Sequence, residues 1–153
     1  MNSFLPICID VSQTEILIVG GGRVALKKLE GLERYSRKIK VVSPEICQGI
    51  RSRTWVNLHE KPYSSDDLEG HFLVFAATDN EVINRTVLED GKALGCLVNV
   101  VDDPAVSGFV SPAIYKHSHM SVAVSSNGQN VLETVRWRNE IKKLIEDGAI
   151  GSI

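Results

Sequence analysis

Gly20-Gly21-Gly22-Arg23-Val24-Ala25 fits the pattern Gly-x-Gly-x-x-Ala, whose residue types suit the grip of a pyrophosphate. Gly20 permits a tight turn, Gly22 lets main chain approach a phosphate, and the small Ala25 lets a helix pack on a strand. A helix beginning there offers unpaired N–H groups and the positive end of its dipole to an anion. The pattern carries this meaning only between a strand and a helix, and both flanks are present. Ile16-Leu17-Ile18-Val19 precedes it, and from Arg23 to about Tyr35 the residues Val24, Ala25, Lys28, Leu29 and Leu32 recur near helical spacing. A dinucleotide is therefore expected at Gly20, Gly22, Arg23 and Val24. Many NAD-binding units end their second strand in Asp or Glu for the ribose 2′-hydroxyl. Here Val42 is followed by Ser43-Pro44, so the Ser43 hydroxyl and local backbone are expected to take that place, which leaves both NAD and NADP open as the cofactor.

Three further clusters have chemical potential. Thr78-Asp79-Asn80 follows the apolar Ala76-Ala77, where it suits either a helix cap or a cofactor contact. Asn99 stands inside an apolar run, and a buried amide there needs hydrogen bonds. Asp102 closes that run, where a carboxylate can serve as a general base. His117-x-His119 puts two imidazoles close together, but alternate residues of a strand face opposite ways, so a polar hairpin loop is expected and no metal site. His59 and His71 read as surface residues, and Trp55 and Trp137 as packing residues.

The elements that position these residues alternate. Strands are expected at Ile16–Val19, Ile39–Val42, Trp55–Leu58, Phe72–Ala77 and Cys96–Val101, with helices after the first and from Glu81 to Leu94. Runs that are apolar on both faces suit strands covered by helices on both sides, and the alternation predicts an α/β, Rossmann-like, doubly wound parallel sheet. After Asp102-Asp103-Pro104 the pattern changes. Phe109–Tyr115 and Met120–Ser125 read as two strands outside that sheet, joined by Lys116 to His119, and Val131–Glu146 as a closing helix. The expected division is a cofactor-binding domain over 1–104 and, over 105–153, a short β segment with a C-terminal helix.

The 153 residues carry 17 basic and 19 acidic side chains, net −2, with neither sign gathered into a block, so no nucleic-acid footprint is present. Three cysteines, Cys8, Cys47 and Cys96, lack metal-type spacing and read as buried apolar residues in a reducing compartment. The N-terminus has no basic n-region, and no run approaches membrane-spanning length. A soluble cytoplasmic protein without a membrane partner is expected.

Taken in order, several motifs resemble a known family: the glycine loop with Lys28, Val42-Ser43-Pro44, Ala76-Ala77-Thr78-Asp79-Asn80 with Asn84, Val98-Asn99-Val100-Val101-Asp102, Phe109 with Pro112-Ala113-Ile114, and Val122-Ala123-Val124-Ser125-Ser126 with Gly128. Together they resemble the precorrin-2 dehydrogenase module of sirohaem synthases, from about Pro6 to Arg138. The resemblance implies NAD-dependent oxidation of precorrin-2 to sirohydrochlorin, with Asp102 at the family's catalytic aspartate and Gly20, Gly22, Arg23, Val24, Ser43, Pro44, Thr78, Asp79 and Asn99 around the cofactor. Some members also insert ferrous iron. The resemblance further implies a homodimer through the strands after Asp102, and two apolar strands outside the main sheet would otherwise expose apolar surface and unpaired edges.

Two departures stand out. Gly128-Gln129-Asn130-Val131 lacks the proline with which the family commonly opens its next helix. The sequence also stops at Ile153, whereas many relatives continue into a helical segment that helps cover the tetrapyrrole, so that cover is expected to be absent. Because the substrate carries many carboxylates, basic residues are expected near it, with Arg136, Arg138 and Lys116 as candidates. The second reading is a regulatory NAD-binding module without catalysis. Such a module would be expected to carry an acid after its second strand and needs no Asp102.

Overall fold

Residues Ile16, Leu17, Ile18 and Val19 are buried on both faces of a strand, which is why the run is apolar without alternation. The computed structural model describes residues 3–101 and 103–151. It resolves into two units, one spanning Ile7–Phe109 and the other formed by the chain from Val110 onward together with the residues up to Pro6.

The larger unit contains β1 (Ile16–Val19), α1 (Arg23–Leu32), β2 (Ile39–Val42), α2 (Gln48–Arg51), β3 (Asn57–His59), β4 (Leu73–Ala76), α3 (Glu81–Ala93) and β5 (Leu97–Val100). The strands form one five-stranded sheet in the order β3-β2-β1-β4-β5, with every neighbouring pair parallel. That is the doubly wound order, and its switch point lies between β1 and β4. Alternate side chains serve opposite faces. Ile16 and Ile18 join Ala25 and Leu29 of α1 and Ile50 of α2, while Leu17 and Val19 join Val87 and Leu88 of α3. Burying each such side chain contributes about 1.5–3 kcal/mol, so both faces hold the sheet.

β5 is an edge strand, and the returning chain covers it. Gly108 N–H donates to Val98 O at 2.8 Å, and Val100 N–H donates to the Ser107 hydroxyl at 2.9 Å. Phe109 therefore belongs to this unit, packed edge-on against Phe75 with ring centroids 5.3 Å apart.

The smaller unit holds β6 (Ala113–His117) and β7 (Met120–Val124), an antiparallel pair, and α4 (Val131–Glu146). Ser118 adopts a left-handed φ of 53°, as a tight hairpin turn favours. The Arg138 guanidinium donates to Ile114 O at 3.1 Å, tying helix to hairpin. Asn130 opens the helix by a different device from the missing proline: its side-chain oxygen accepts from Glu133 N–H at 3.0 Å and caps α4.

Several sequence expectations need correction. The first hairpin strand runs over Ala113–His117 and not from Phe109, because Phe109 is taken by the sheet core and Pro112 has no N–H for a ladder. The third parallel strand is Asn57–His59, displaced from Trp55–Leu58 because the Trp55 ring packs on the core under the Arg37 guanidinium, 5.5 Å from its centroid. His71 is not a surface residue. Its side chain is 6% exposed, with Nε2 3.1 Å from a Glu15 carboxylate oxygen. Trp137 is 52% exposed rather than packed, Cys8 is exposed, and Cys47 and Cys96 are only partly buried.

Candidate functional site

The carboxyl ends of the parallel strands come together around Gly20. Its φ of +129° is open to glycine, and a Cβ there would run into the carbonyl oxygen of Ala77, the residue after β4. Two main-chain bonds fix this approach: Gly20 N–H donates to Val42 O at 2.9 Å and Ala77 N–H donates to Val19 O at 2.8 Å. The ends of β1, β2 and β4 are thus tied together at the switch point, where ligands of such sheets bind.

Gly21 is the glycine that sequence reasoning missed. A Cβ on it would overlap Glu45 O and lie 2.9 Å from Ile46 Cα, and its carbonyl accepts from Cys47 N–H at 2.8 Å. It joins the loop after β2 to the phosphate loop. Only its place between two pattern glycines could have flagged it.

Gly22 differs from both. It is the N-cap of α1, in extended backbone with φ −90° and ψ −162°, and a Cβ would meet nothing within 4 Å. No side chain caps this helix and no acidic residue lies in its first turn, whereas α3 and α4 are capped by Asn80 and Asn130. Among the described residues the N-terminus of α1 thus has no side-chain cap, and the space beside Gly22 is open, which is the arrangement an anionic phosphate fills. Arg23 is exposed beside that space, and Val24 is 39% exposed.

Ser43 is partly buried after β2, its N–H donating to His59 O at 3.2 Å, and Pro44 is exposed. Thr78 follows β4. Its hydroxyl donates to Asn84 Oδ1 at 2.7 Å, and the Asn84 amide returns a bond to Thr78 O at 3.0 Å. Asn80, not Thr78 or Asp79, is the helix cap, accepting from the N–H groups of Val82 and Ile83. Asp79 is exposed.

Asn99 is 5% exposed on β5, in register with Phe75. Its Nδ2 donates to Phe109 O at 2.9 Å, yet its Oδ1 is buried and finds no hydrogen-bond partner among the described residues. A buried unpaired amide oxygen costs about 1–3 kcal/mol and calls for a donor. The Lys28 ammonium lies 5.7 Å from the centroid of the ring of Phe75, the residue in register with Asn99. Asp102 lies outside the described residues. Its neighbour Val101 donates its N–H to Ala76 O at 3.0 Å, and Asp103 is exposed.

Gly20, Gly22, Arg23, Val24, Ser43, Pro44, Thr78, Asp79 and Asn99 thus all fall at or near the carboxyl ends of neighbouring strands. The basic candidates of the smaller unit are engaged locally. Arg136 lies between Glu133 and Glu140, Lys116 donates to Ser118 O, and Arg138 holds the hairpin. Among the described residues, no three His, Cys, Asp or Glu side chains are grouped to hold a metal.

The family model described as "Putative NAD(P)-binding" matches residues 7–113. "Siroheme synthase" of Pseudoalteromonas atlantica is 38% identical over 128 residues, covering 82% of this chain and 28% of that protein. "Siroheme synthase" of Photorhabdus laumondii is 36% identical over 145 residues, covering 93% of this chain and 31% of that protein. The chain thus spans about three tenths of the length of these relatives. A solved structure of "SirC, precorrin-2 dehydrogenase" superposes with a TM-score of 0.79 at 24% identity, covering 92% of this chain and 70% of that one, and shares the fold. With that model matching residues 7–113, more than two thirds of the 153 residues, the chain belongs to this NAD(P)-binding family.

Proposed function

We propose that this chain oxidises precorrin-2 to sirohydrochlorin with NAD as the hydride acceptor. The observation that carries the reading is the convergence at one sheet end of an uncapped helix N-terminus at Gly22 with the buried, unpaired Asn99 Oδ1, three positions before Asp102. The names of the siroheme synthase relatives, and the motifs that resemble the precorrin-2 dehydrogenase module, support the substrate.

Bound NAD supplies the hydride-accepting ring. Gly20 and Gly22 hold the pyrophosphate through main chain, with Arg23 and Val24 beside it, and Ser43 and Pro44 take the ribose. Thr78 and Asp79 border the same crevice, and Asn99 Oδ1 accepts a hydrogen bond from a ligand N–H. Asp102 accepts the proton that the macrocycle loses as its hydride departs, so that two hydrogens leave as hydride plus proton. The test is the appearance of NADH absorbance on adding precorrin-2 and NAD. Binding of NAD without any NADH formation would refute the reaction and leave a cofactor-sensing module. Repeating the assay with ferrous ion tests for the metal insertion that some family members perform.

The protein acts as a homodimer. Among the described residues β6 and β7 form a sheet of two strands, and the exposed Met120 on β7 and Leu132, Trp137 and Leu144 on α4 offer apolar surface. Isologous pairing of this unit covers that surface. Light scattering at micromolar concentration is expected to give twice the chain mass, and a monomer mass would exclude the pairing. Among the described residues no helix is long and apolar enough to cross a membrane. The free thiols of Cys8, Cys47 and Cys96 suit a reducing compartment, which supports a cytoplasmic setting for the reaction.

A further inference from the structure

Ser107 is 7% exposed, and its hydroxyl meets three main-chain groups at once. It accepts from Val100 N–H at 2.9 Å, and its proton reaches Asp103 O at 2.8 Å, with Val100 O at 3.2 Å as the alternative acceptor. Asp103 N–H in turn donates to Val100 O at 3.1 Å. The chain therefore leaves β5 at Val100, and both ends of the short segment up to Asp103 are clamped by one hydroxyl seven residues further on. That segment contains Asp102.

A backbone carbonyl from a returning strand would satisfy Val100 N–H just as well and would close the sheet edge by itself. A hydroxyl does something a carbonyl cannot. It accepts from one side of the segment and donates to the other, so that the two flanks cannot separate without breaking a buried bond. The hydroxyl is also walled in, since the following Gly108 N–H is fixed to Val98 O.

Resting on the reaction proposed above, we propose that Ser107 is a positioning residue for it: its hydroxyl holds the Val100 and Asp103 main chain on either side of the proposed base, Asp102, and turnover depends on that hold. A misplacement of about 1 Å at a reacting group costs on the order of 100-fold in rate, even when the change lies away from the chemistry.

The test is a double-mutant cycle on the full chain, with turnover read as NADH formation and NAD affinity by calorimetry. Ser107→Ala is expected to lower turnover by on the order of 100-fold with NAD affinity unchanged. Added to Asp102→Asn it is expected to cost nothing further, because two residues acting as a unit are not additive. Wild-type turnover in folded Ser107→Ala overturns the proposal, as do losses that multiply in the double variant. If Ser107→Ala fails to fold, the isosteric pair Ser107→Thr and Ser107→Val decides. Thr keeps the hydroxyl and is expected to retain turnover, Val is expected to lose it, and equal turnover in the two overturns the proposal. A wild-type chain that binds NAD but never oxidises precorrin-2 refutes the reaction itself, a result distinct from an active wild type with an indifferent Ser107.

Discussion

Gly22→Asp is expected to lose NAD affinity by on the order of 100-fold or more while the protein stays folded, since forcing like charges together costs several kcal/mol. The position is unusual in allowing so clean a test. Its backbone is extended, a Cβ there meets nothing within 4 Å, and it is the N-cap of α1. Aspartate is a favoured N-cap residue, so the substitution changes stability by only a few tenths of a kcal/mol. The new carboxylate, however, stands where a pyrophosphate must meet main chain. Gly21→Ala is expected to do the reverse. Its Cβ would collide with Glu45 O and Ile46 Cα, both main chain that no rotamer change can move, which costs at least about 1–3 kcal/mol and several degrees of melting temperature. Calorimetric titration with NAD and thermal melting separate the two. Unchanged affinity in folded Gly22→Asp would sink the phosphate-loop assignment.

Asp102→Asn is expected to lower turnover by on the order of 100-fold or more, the usual contribution of a general base, with NAD affinity little changed. Asparagine keeps the shape and cannot take the proton. Asp103→Asn should be much milder, because Asp103 is exposed and its described bonds use main chain, its N–H to Val100 O and its carbonyl to Ser107, which the substitution leaves in place. Steady-state NADH formation from precorrin-2 reads both. Full activity in both variants would remove Asp102 from the mechanism, and a failure of Asp103→Asn alone would mean that the neighbouring carboxylate is the base.

Much of the larger unit was legible because its signals are local. A strand covered on both faces reads as a nearly continuous apolar run, and β1 and β4 are wholly apolar while β2 and β5 each carry one polar residue, Lys40 and Asn99. The glycine loop was legible because strand, turn and helix adjoin in sequence. What was missed depends on contacts between distant residues. The need for glycine at position 21 arises from Glu45 and Ile46, and the burial of His71 from Glu15, 56 residues away. Phe109 looked like strand because an aromatic in an apolar run fits a strand as well as a core, and only the docking of its ring on Phe75 decides. Ser107 gave no signal at all, since a lone serine in a loop acquires its role from the three main-chain groups folded around it.

At the glycine loop the walls of the crevice are main chain: Gly20 abuts the Ala77 carbonyl, Gly21 abuts Glu45, and hydrogen bonds between strand ends hold each junction. Such walls have no rotamers to freeze. A ligand entering them gives up its own freedom but asks little ordering of the protein, so its affinity escapes the tax levied when only a fraction of molecules is competent to bind. Association should accordingly follow one concentration-dependent phase, without a slower isomerisation behind it.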